Sequence, residues 1–176
     1  ASPGGTSNIC LSDSELTFPI TNYEDNSDDT TYTLDFGDGT PTVTKTHTEV
    51  ESKNEITHKY LSGSCGTTEN QFIAVLRIEN ACSVTESTIN NIVILEPSIA
   101  NFESPNTGCV NSPISFTNTS IIGDNPDCTE AANFKWNFGD GTVINDNNTN
   151  LITNQTHTYK EAKTYTATLY VTTNCG

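Results

Sequence analysis

Two segments of the chain alternate apolar and polar residues in the same way. Every second residue is aromatic or apolar over residues 32–36, and the same holds over residues 134–138. An alternation of period two predicts a strand with one face in the core and the other toward solvent. The pattern therefore predicts two equivalent strands, one in each half of the chain.

The pentapeptide Phe-Gly-Asp-Gly-Thr ends both strands, at residues 36–40 and 138–142. Glycine reaches positive φ at low cost and aspartate accepts hydrogen bonds from turn amides, so the pentapeptide predicts a tight turn. A role in the turn explains the aspartate of each copy better than calcium ligation does. The predicted structural-turn residues are Gly37, Asp38, Gly39, Gly139, Asp140 and Gly141.

The remaining apolar alternation also occurs twice, with loops of different length between the strands. It predicts strands at 16–20, 72–78 and 92–95 in the first half, and at 114–116 and 165–171 in the second. The less regular residues 41–56 are predicted to form either edge strands or a long surface hairpin, and the pattern favours neither.

A Thr-His-x-Tyr step recurs at residues 57–60 and 156–159, and its two histidines are predicted to bond a loop rather than to catalyse. The whole order of elements predicts two tandem all-β modules, residues 1–97 and 98–176, because a proline at the boundary ends ladder pairing. The second module lacks a counterpart of the closing strand at 92–95. We interpret this as a fragment boundary inside a longer array of repeats, and an edge strand left uncovered in this way invites pairing with another chain, such as dimerisation through that edge.

The charge of the chain limits its partners. Seven basic residues stand against 22 acidic ones, a formal net charge of −15. Such a surface argues against binding nucleic acid or anionic lipid, since both are polyanions. No apolar run reaches the 18 residues that a spanning helix needs, so no membrane insertion is predicted.

Residues 134–142, 156–159 and 164–172 together resemble the PKD (polycystic kidney disease) domain, with its tryptophan strand, Gly-Asp-Gly turn, His-Thr-Tyr step and following Thr-Tyr-Thr strand. The first half shows the same order with Tyr-Thr-Leu in place of the tryptophan strand. The resemblance implies two tandem immunoglobulin-like (PKD-type) β-sandwiches, and about seven short strands in each module suit that fold.

The segment 109–120, followed by Asn-Cys-Gly at 174–176, is similar to PKD-like repeats of very long Bacteroidota surface proteins. Those proteins include gliding-motility adhesins exported by the type IX secretion system. The resemblance implies a non-catalytic, extracellular, cell-surface repeat segment whose partners are neighbouring repeats of the same chain and a surface polysaccharide or protein. PKD modules also accompany secreted glycoside hydrolases and proteases, so an accessory binding module is the alternative.

Six cysteines in a small acidic β-protein indicate an oxidising compartment and disulfide bonds. The repeat suggests one set, Cys10–Cys82 and Cys109–Cys175 with a Cys65–Cys128 link. The order of strands suggests another, Cys10–Cys65 and Cys128–Cys175 with the remaining two free or paired elsewhere. We favour the second set because the ends of a five-residue strand lie about 17 Å apart, whereas a bridge needs Cα atoms within about 7 Å.

The sequence offers one weak metal candidate and no enzyme motif. Asp25, Asp28 and Asp29 lie in a short acidic connection that supplies oxygen ligands suited to calcium, although without EF-hand spacing. Nucleophile elbows, zinc-protease motifs and phosphate loops are absent from the sequence. An exposed aromatic platform for a polysaccharide is not expected either, since Trp136 falls on the core face of its strand.

Overall fold

The computed structural model describes residues 9–125, 127–129, 132–146 and 153–175. The chain divides into two units, Ala1–Leu95 and Glu96–Gly176, which are called unit 1 and unit 2 below. No helix of the described residues has the length and apolar character required to cross a membrane.

Unit 1 contains one short helix, α1, at His47–Ser52, and a 3-10 turn at Leu11–Asp13 and at Thr68–Asn70. Its strands are β1 (Ile9–Cys10), β2 (Glu15–Pro19), β3 (Thr31–Asp35), β4 (Val43–Thr46), β5 (Glu55–Lys59), β6 (Phe72–Glu79), β7 (Val84–Ile92) and β8 (Ile94–Leu95). They form an antiparallel sheet of order β4-β3-β6-β7, an antiparallel pair β2-β5 and a parallel pair β1-β8.

The core of unit 1 is shared by these sheets. Phe18 and Ile56 from the β2-β5 pair lie in one buried cluster with Leu34 and Ala74 from the four-stranded sheet. Ile94 of β8 belongs to the same cluster and is fully buried. Apolar faces of separate sheets that enclose one core make a β-sandwich.

Unit 2 repeats the arrangement with fewer strands. They are β9 (Phe102–Glu103), β10 (Pro113–Asn118), β11 (Asn133–Asn137), β12 (Val143–Asp146), β13 (Gln155–Thr158) and β14 (Thr168–Thr172). One sheet has the order β12-β11-β14 and the other β13-β10-β9. Phe116 of β10 packs with Trp136 of β11 and Leu169 of β14, so the two sheets again share one core.

Two sequence predictions need correction. Residues 41–56 form neither a hairpin nor edge strands alone, because α1 interrupts them between β4 and β5. The predicted strand at 165–171 begins only at Thr168, and Tyr165 to Ala167 belong to no strand. Their counterparts in unit 1, at the start of β6, pair with β7, and no strand described in unit 2 takes the place of β7.

Candidate functional site

The Gly-Asp-Gly turn of unit 1 is closed by the carboxylate of Asp38. Its Oδ1 accepts hydrogen bonds from the backbone N–H of Thr40 at 3.1 Å and from the Thr40 hydroxyl at 2.6 Å. Its Oδ2 lies 2.7 Å from Nε2 of His58. An ionised carboxylate only accepts, so the imidazole donates through Nε2 and joins the turn to β5.

The turn of unit 2 is built in the same way. Oδ1 of Asp140 accepts from the backbone N–H of Thr142 at 2.9 Å, and Oδ2 lies 2.7 Å from Nε2 of His157. The histidine that each unit uses comes from the Thr-His-x-Tyr step, on the strand that pairs with β2 or β10. Each unit therefore ties one sheet to the turn that leaves the other sheet.

Aromatic rings hold each histidine from two sides. In unit 1 the His58 ring stacks on Phe36, with centroids 3.7 Å apart, and meets the edge of Tyr60. In unit 2 the corresponding stack of His157 on Phe138 has centroids 4.3 Å apart. These ring contacts hold the imidazole in the orientation in which its Nε2 donates to the aspartate.

The tyrosine of the Thr-His-x-Tyr step makes a further hydrogen bond to the turn. The Tyr60 hydroxyl donates to the carbonyl oxygen of Phe36 at 3.1 Å, and the Tyr159 hydroxyl donates to that of Phe138 at 2.8 Å. Burial, followed by the nearby aspartate charges, raises the pKa of Tyr60, and burial likewise raises the pKa of Tyr159. Both phenols are thus neutral donors at physiological pH.

The first glycine of each turn lies too close to the backbone of a neighbouring segment for any side chain. Gly37 has φ of +75°, and a Cβ there would lie 2.2 Å from the carbonyl oxygen of Ile73. Gly139 has φ of +80°, and a Cβ would lie 2.5 Å from the carbonyl oxygen of Thr166. Positive φ and close backbone approach together require glycine at both positions.

Hydrogen bonding lowers the pKa of both turn aspartates. Burial opposes the change at Asp140, but the donors from Thr142 and His157 outweigh it and lower its pKa to about 2. The pKa of Asp38 is lowered as well, against a burial penalty, by Thr40 and His58. The carboxylates and imidazoles that could transfer protons are thus already engaged in holding the turn.

Four of the six cysteines are in disulfide bonds: Cys10, Cys65, Cys128 and Cys175. Cys82 and Cys109, which were also predicted as disulfide candidates, are instead free and exposed. The set built from the repeat is therefore wrong, because it requires both of these thiols.

Neighbouring hydrogen bonds assign the pairs. Cys10 lies opposite Leu95 in the β1-β8 ladder, and Ser64, next to Cys65, bonds to both the N–H and the carbonyl of Ile94 on the same strand. That geometry brings Cys10 and Cys65 together.

In unit 2, Asn125 connects the two cysteine segments. Its carbonyl accepts from the N–H of Cys128, and its side chain accepts from the side chain of Asn174, next to Cys175. The bonds are thus Cys10–Cys65 and Cys128–Cys175, one within each unit, which is the arrangement that the order of strands favoured.

The acidic connection of unit 1 does not gather a metal site. The described residues contain no group of three or more His, Cys, Asp or Glu side chains that could hold a metal ion. Asp25, Asp28 and Asp29 therefore do not form the calcium site for which the sequence made them candidates. Oδ2 of Asp29 instead accepts from the N–H of Ala81 at 3.1 Å, at the turn between β6 and β7. Hydrogen bonds from Ser27 and Ala81 lower the pKa of Asp29, which marks it as a turn carboxylate.

An open cleft of about 650 Å³ lies in unit 2 between residues 104–110 and residues 161–167. Apolar side chains such as Phe102, Ile114 and Tyr165 line it together with polar and charged ones such as Glu161 and Lys163. The lining segments on both sides belong to no strand. The cleft could not be predicted from the sequence, because one of its walls, residues 104–110, shows no alternation of apolar and polar residues.

Sheets stacked around one core in each unit define the class of protein: tandem immunoglobulin-like β-sandwiches, as the sequence predicted. Residues 96–176 match the PKD domain family, so unit 2 is a PKD domain, and the predicted resemblance is confirmed for that half. PKD domains are typically non-catalytic. Together with disulfide bonds, such a domain indicates an extracellular protein.

Two further comparisons add little to this assignment. No curated protein matches the chain. Among solved structures, the amphioxus IgVJ-C2 molecule is similar over 90% of this chain and 94% of its own, at 10% identity and a TM-score of 0.40.

Proposed function

We propose that the two units are consecutive spacer and adhesion modules of a large secreted cell-surface protein, of the kind that serves in gliding motility. The observation that supports this most directly is the repeated turn. Each unit uses its histidine and its turn aspartate in the same bond, with oxygens and ring nitrogen committed to the fold. Groups used identically in both copies fit a structural repeat better than a catalytic centre, which would need only one.

The surface charge supports the same role. The formal net charge of −15 makes neighbouring modules repel one another, which favours an extended and soluble chain of repeats. The partners of the chain are then neighbouring repeats of the same protein, and a surface polysaccharide or protein at the end of the assembly. Localisation on the cell surface follows from this proposal.

The alternative, an accessory module of a secreted glycoside hydrolase or protease, lacks its expected surface. A polysaccharide-binding platform needs exposed aromatic rings, but Trp136 is fully buried between Phe102 and Phe116. Tyr170 is the one aromatic side chain that is more than half exposed among the described residues. A single ring is a poor platform for a polymer.

Two measurements separate the proposals. Antibodies raised against the chain should label intact cells of its source, and brief protease treatment of those cells should remove the label. The recombinant chain should not be retained by insoluble chitin, cellulose or collagen. Retention on one of these polymers, with the parent protein free in the medium, would contradict the spacer role and support the accessory module.

A further inference from the structure

The dipeptide Asp-Gly occurs twice in the chain, at residues 38–39 and 140–141, and both copies lie in the turn that the two units share. Asp-Gly rearranges more readily than other aspartyl sequences, because a glycine nitrogen without a neighbouring side chain reaches the aspartyl side-chain carbon easily. The corresponding amide sequence, Asn-Gly, does not occur in the chain. The most labile type of dipeptide is therefore confined to the two turns.

The geometry of the turn requires both residues of the dipeptide. Gly39 has φ of +80° and Gly141 has φ of +94°, in a region that strains any residue with a side chain. Oδ1 of Asp38 accepts from the N–H of Thr40, two residues further along, which is the bond by which aspartate forms a turn. The fold thus depends on two residues that are chemically reactive when adjacent.

The rearrangement consists of two steps that need only water. First, the backbone nitrogen of Gly39 bonds to Cγ of Asp38, while the amide proton and the carboxyl OH leave as water, and a succinimide ring results. Water then breaks one of the two C–N bonds of the ring. Cleavage at Cγ restores aspartate, whereas cleavage at the main-chain carbonyl leaves isoaspartate, in which the main chain runs through Cγ.

The hydrogen bonds of the turn oppose the first step. One carboxyl oxygen must leave, and it leaves readily only from the protonated group. Oδ1 of Asp38 is held by the N–H and the hydroxyl of Thr40, and Oδ2 by Nε2 of His58 at 2.7 Å. These donors favour the ionised carboxylate over the protonated acid. The stack of His58 on Phe36 keeps its donor in place.

We propose that Asp38 and Asp140 are latent isomerisation sites, and that His58 and His157 prevent their rearrangement to isoaspartate in the folded protein. The pKa of Asp140 supports this role. Burial opposes its change, but bonds from Thr142 and His157 lower it from 3.8 to about 2. Each pKa unit changes the neutral fraction tenfold at a pH well above both values. The reactive form is accordingly scarce, and this chemical role is independent of the proposed spacer role.

The test compares the full chain with His58→Ala and His157→Ala after prolonged incubation at physiological temperature. Isoaspartate at each turn is measured by peptide mapping with a protease that cleaves before aspartate but not before isoaspartate. The urea-unfolded wild type gives the rate without the turn, and we expect the folded wild type to react at least tenfold more slowly. His157→Ala should speed the reaction at Asp140 alone, and His58→Ala at Asp38 alone. The unaltered turn of each variant is its internal control.

Val171→Ala is the control for simple loss of stability in unit 2. Val171 packs against the core of that unit, so the substitution destabilises the fold without removing a bond of the turn. Urea below the transition brings this variant and His157→Ala to the same unfolded fraction. At that point Asp140 should still rearrange several times faster in His157→Ala.

Thr40→Val tests the same chemistry in a chain that keeps both histidines. Valine has nearly the shape of threonine but lacks the hydroxyl that donates to Oδ1 of Asp38 at 2.6 Å. Isomerisation at Asp38 should therefore be faster than in the wild type and slower than in His58→Ala. This variant also decides the matter if a histidine variant does not fold.

Any of three results would overturn the proposal. The first is that the folded wild type rearranges as fast as the unfolded chain. The second is that His157→Ala and Val171→Ala give equal rates at Asp140 when equally unfolded. The third is that Thr40→Val leaves the rate at Asp38 at the wild-type value although circular dichroism shows the chain folded.

Discussion

Units 1 and 2 close their turns identically and their sandwiches differently. The aspartate, histidine and tyrosine around each turn make the same bonds, to within a few tenths of an ångström. Beyond the turn, β7 and β8 complete unit 1, whereas the described residues of unit 2 contain no counterpart of these two strands. The turn thus belongs to the fold that the two units share.

This comparison separates two kinds of stabilisation. The turn and its aromatic core assemble from β3, β5 and β6 in unit 1 and from β11, β13 and β14 in unit 2, whatever covers the edge. The edge strand adds apolar burial to a core that already exists.

Among the substitutions that test this comparison, Ile94→Ala in β8 should cause the largest loss of stability. Removing a fully buried isoleucine side chain should cost unit 1 about 2–5 kcal/mol, because the surrounding core relaxes only in part. Trp136 lies in the core of unit 2, so its fluorescence transition should stay in place while far-UV circular dichroism shows unit 1 unfolding earlier. The exposed Val84→Ala in β7 serves as control, with an expected change within about 0.5 kcal/mol. If Ile94→Ala costs no more than the control, β8 does not complete the core.

The two turn glycines should respond differently to the same change. Alanine at Gly37 would meet the carbonyl of Ile73 in β6, whose two neighbours Phe72 and Ala74 both pair with β7, so we expect a loss greater than the roughly 1–2 kcal/mol of left-handed strain alone. Alanine at Gly139 would meet Thr166, which lies outside any strand and can move. Urea unfolding should therefore show Gly37→Ala as the more damaging substitution.

Gly39→Ala is the matched control for that pair. Its φ is +80°, but a Cβ there would meet nothing within 4 Å, so only the backbone strain is added. Equal losses for Gly37→Ala and Gly39→Ala would refute the close approach to Ile73.

Acid should affect the turn of unit 2 more than that of unit 1. The pKa of Asp140 is about 2 in the fold against an ordinary 3.8, so its stabilising contribution is complete above the ordinary value and is lost as pH falls toward 2. The Asp38 side chain is 4% exposed against 20% for Asp140. Burial therefore opposes more of the lowering of its pKa by the same kind of hydrogen bonds. The unfolding temperature reported by Trp136 should drop between pH 4 and pH 2.

Asp140→Asn should flatten that pH dependence, because asparagine does not ionise in this range. Glu103→Gln removes an exposed carboxyl of β9 in the same unit and should keep the wild-type profile. A wild-type profile in Asp140→Asn would show that other carboxyl groups cause the acid response.

The smallest expected effect concerns helix α1 of unit 1, which has no counterpart among the described residues of unit 2. Oγ1 of Thr46 accepts from the N–H of Glu49, and Oε2 of Glu49 accepts from the N–H of Thr46 at 2.8 Å, which makes a capping box. Thr46→Ala should cost about 1 kcal/mol in thermal unfolding. Thr48→Ala, exposed in the same helix, lacks this bond, and an equal loss there would exclude capping as the cause.

The strands and the turn could be predicted from the sequence because each depends on local chemistry. Alternation sets the core face of β3 and β11, and Gly-Asp-Gly sets the turn wherever it occurs. The bond between Asp38 and His58 joins residues 20 positions apart, so only the recurrence of the Thr-His-x-Tyr step pointed to a structural role.

The elements that were not predicted are of two kinds. Some have a local sequence signal that was overlooked, and others depend on contacts between residues distant in sequence. Helix α1 could have been found, because Thr46 and Glu49 have the spacing of a capping box. The late start of β14 could not, since Tyr165 and Ala167 alternate like the residues of a strand but have no partner strand within the described part of unit 2. Likewise, no single-sequence signal excludes a bond at Cys82 or Cys109.

The Cys10–Cys65 bond limits how far unit 1 can be stretched. When a chain is pulled from its ends, the segments outside a crosslink extend first. The roughly 55 residues between these cysteines bear no tension until a reductant breaks the bond. Fully extended, that segment would span on the order of 190 Å. Under tension in an oxidising medium, unit 1 therefore yields only the contour length outside the bond, and a reducing medium releases the remainder.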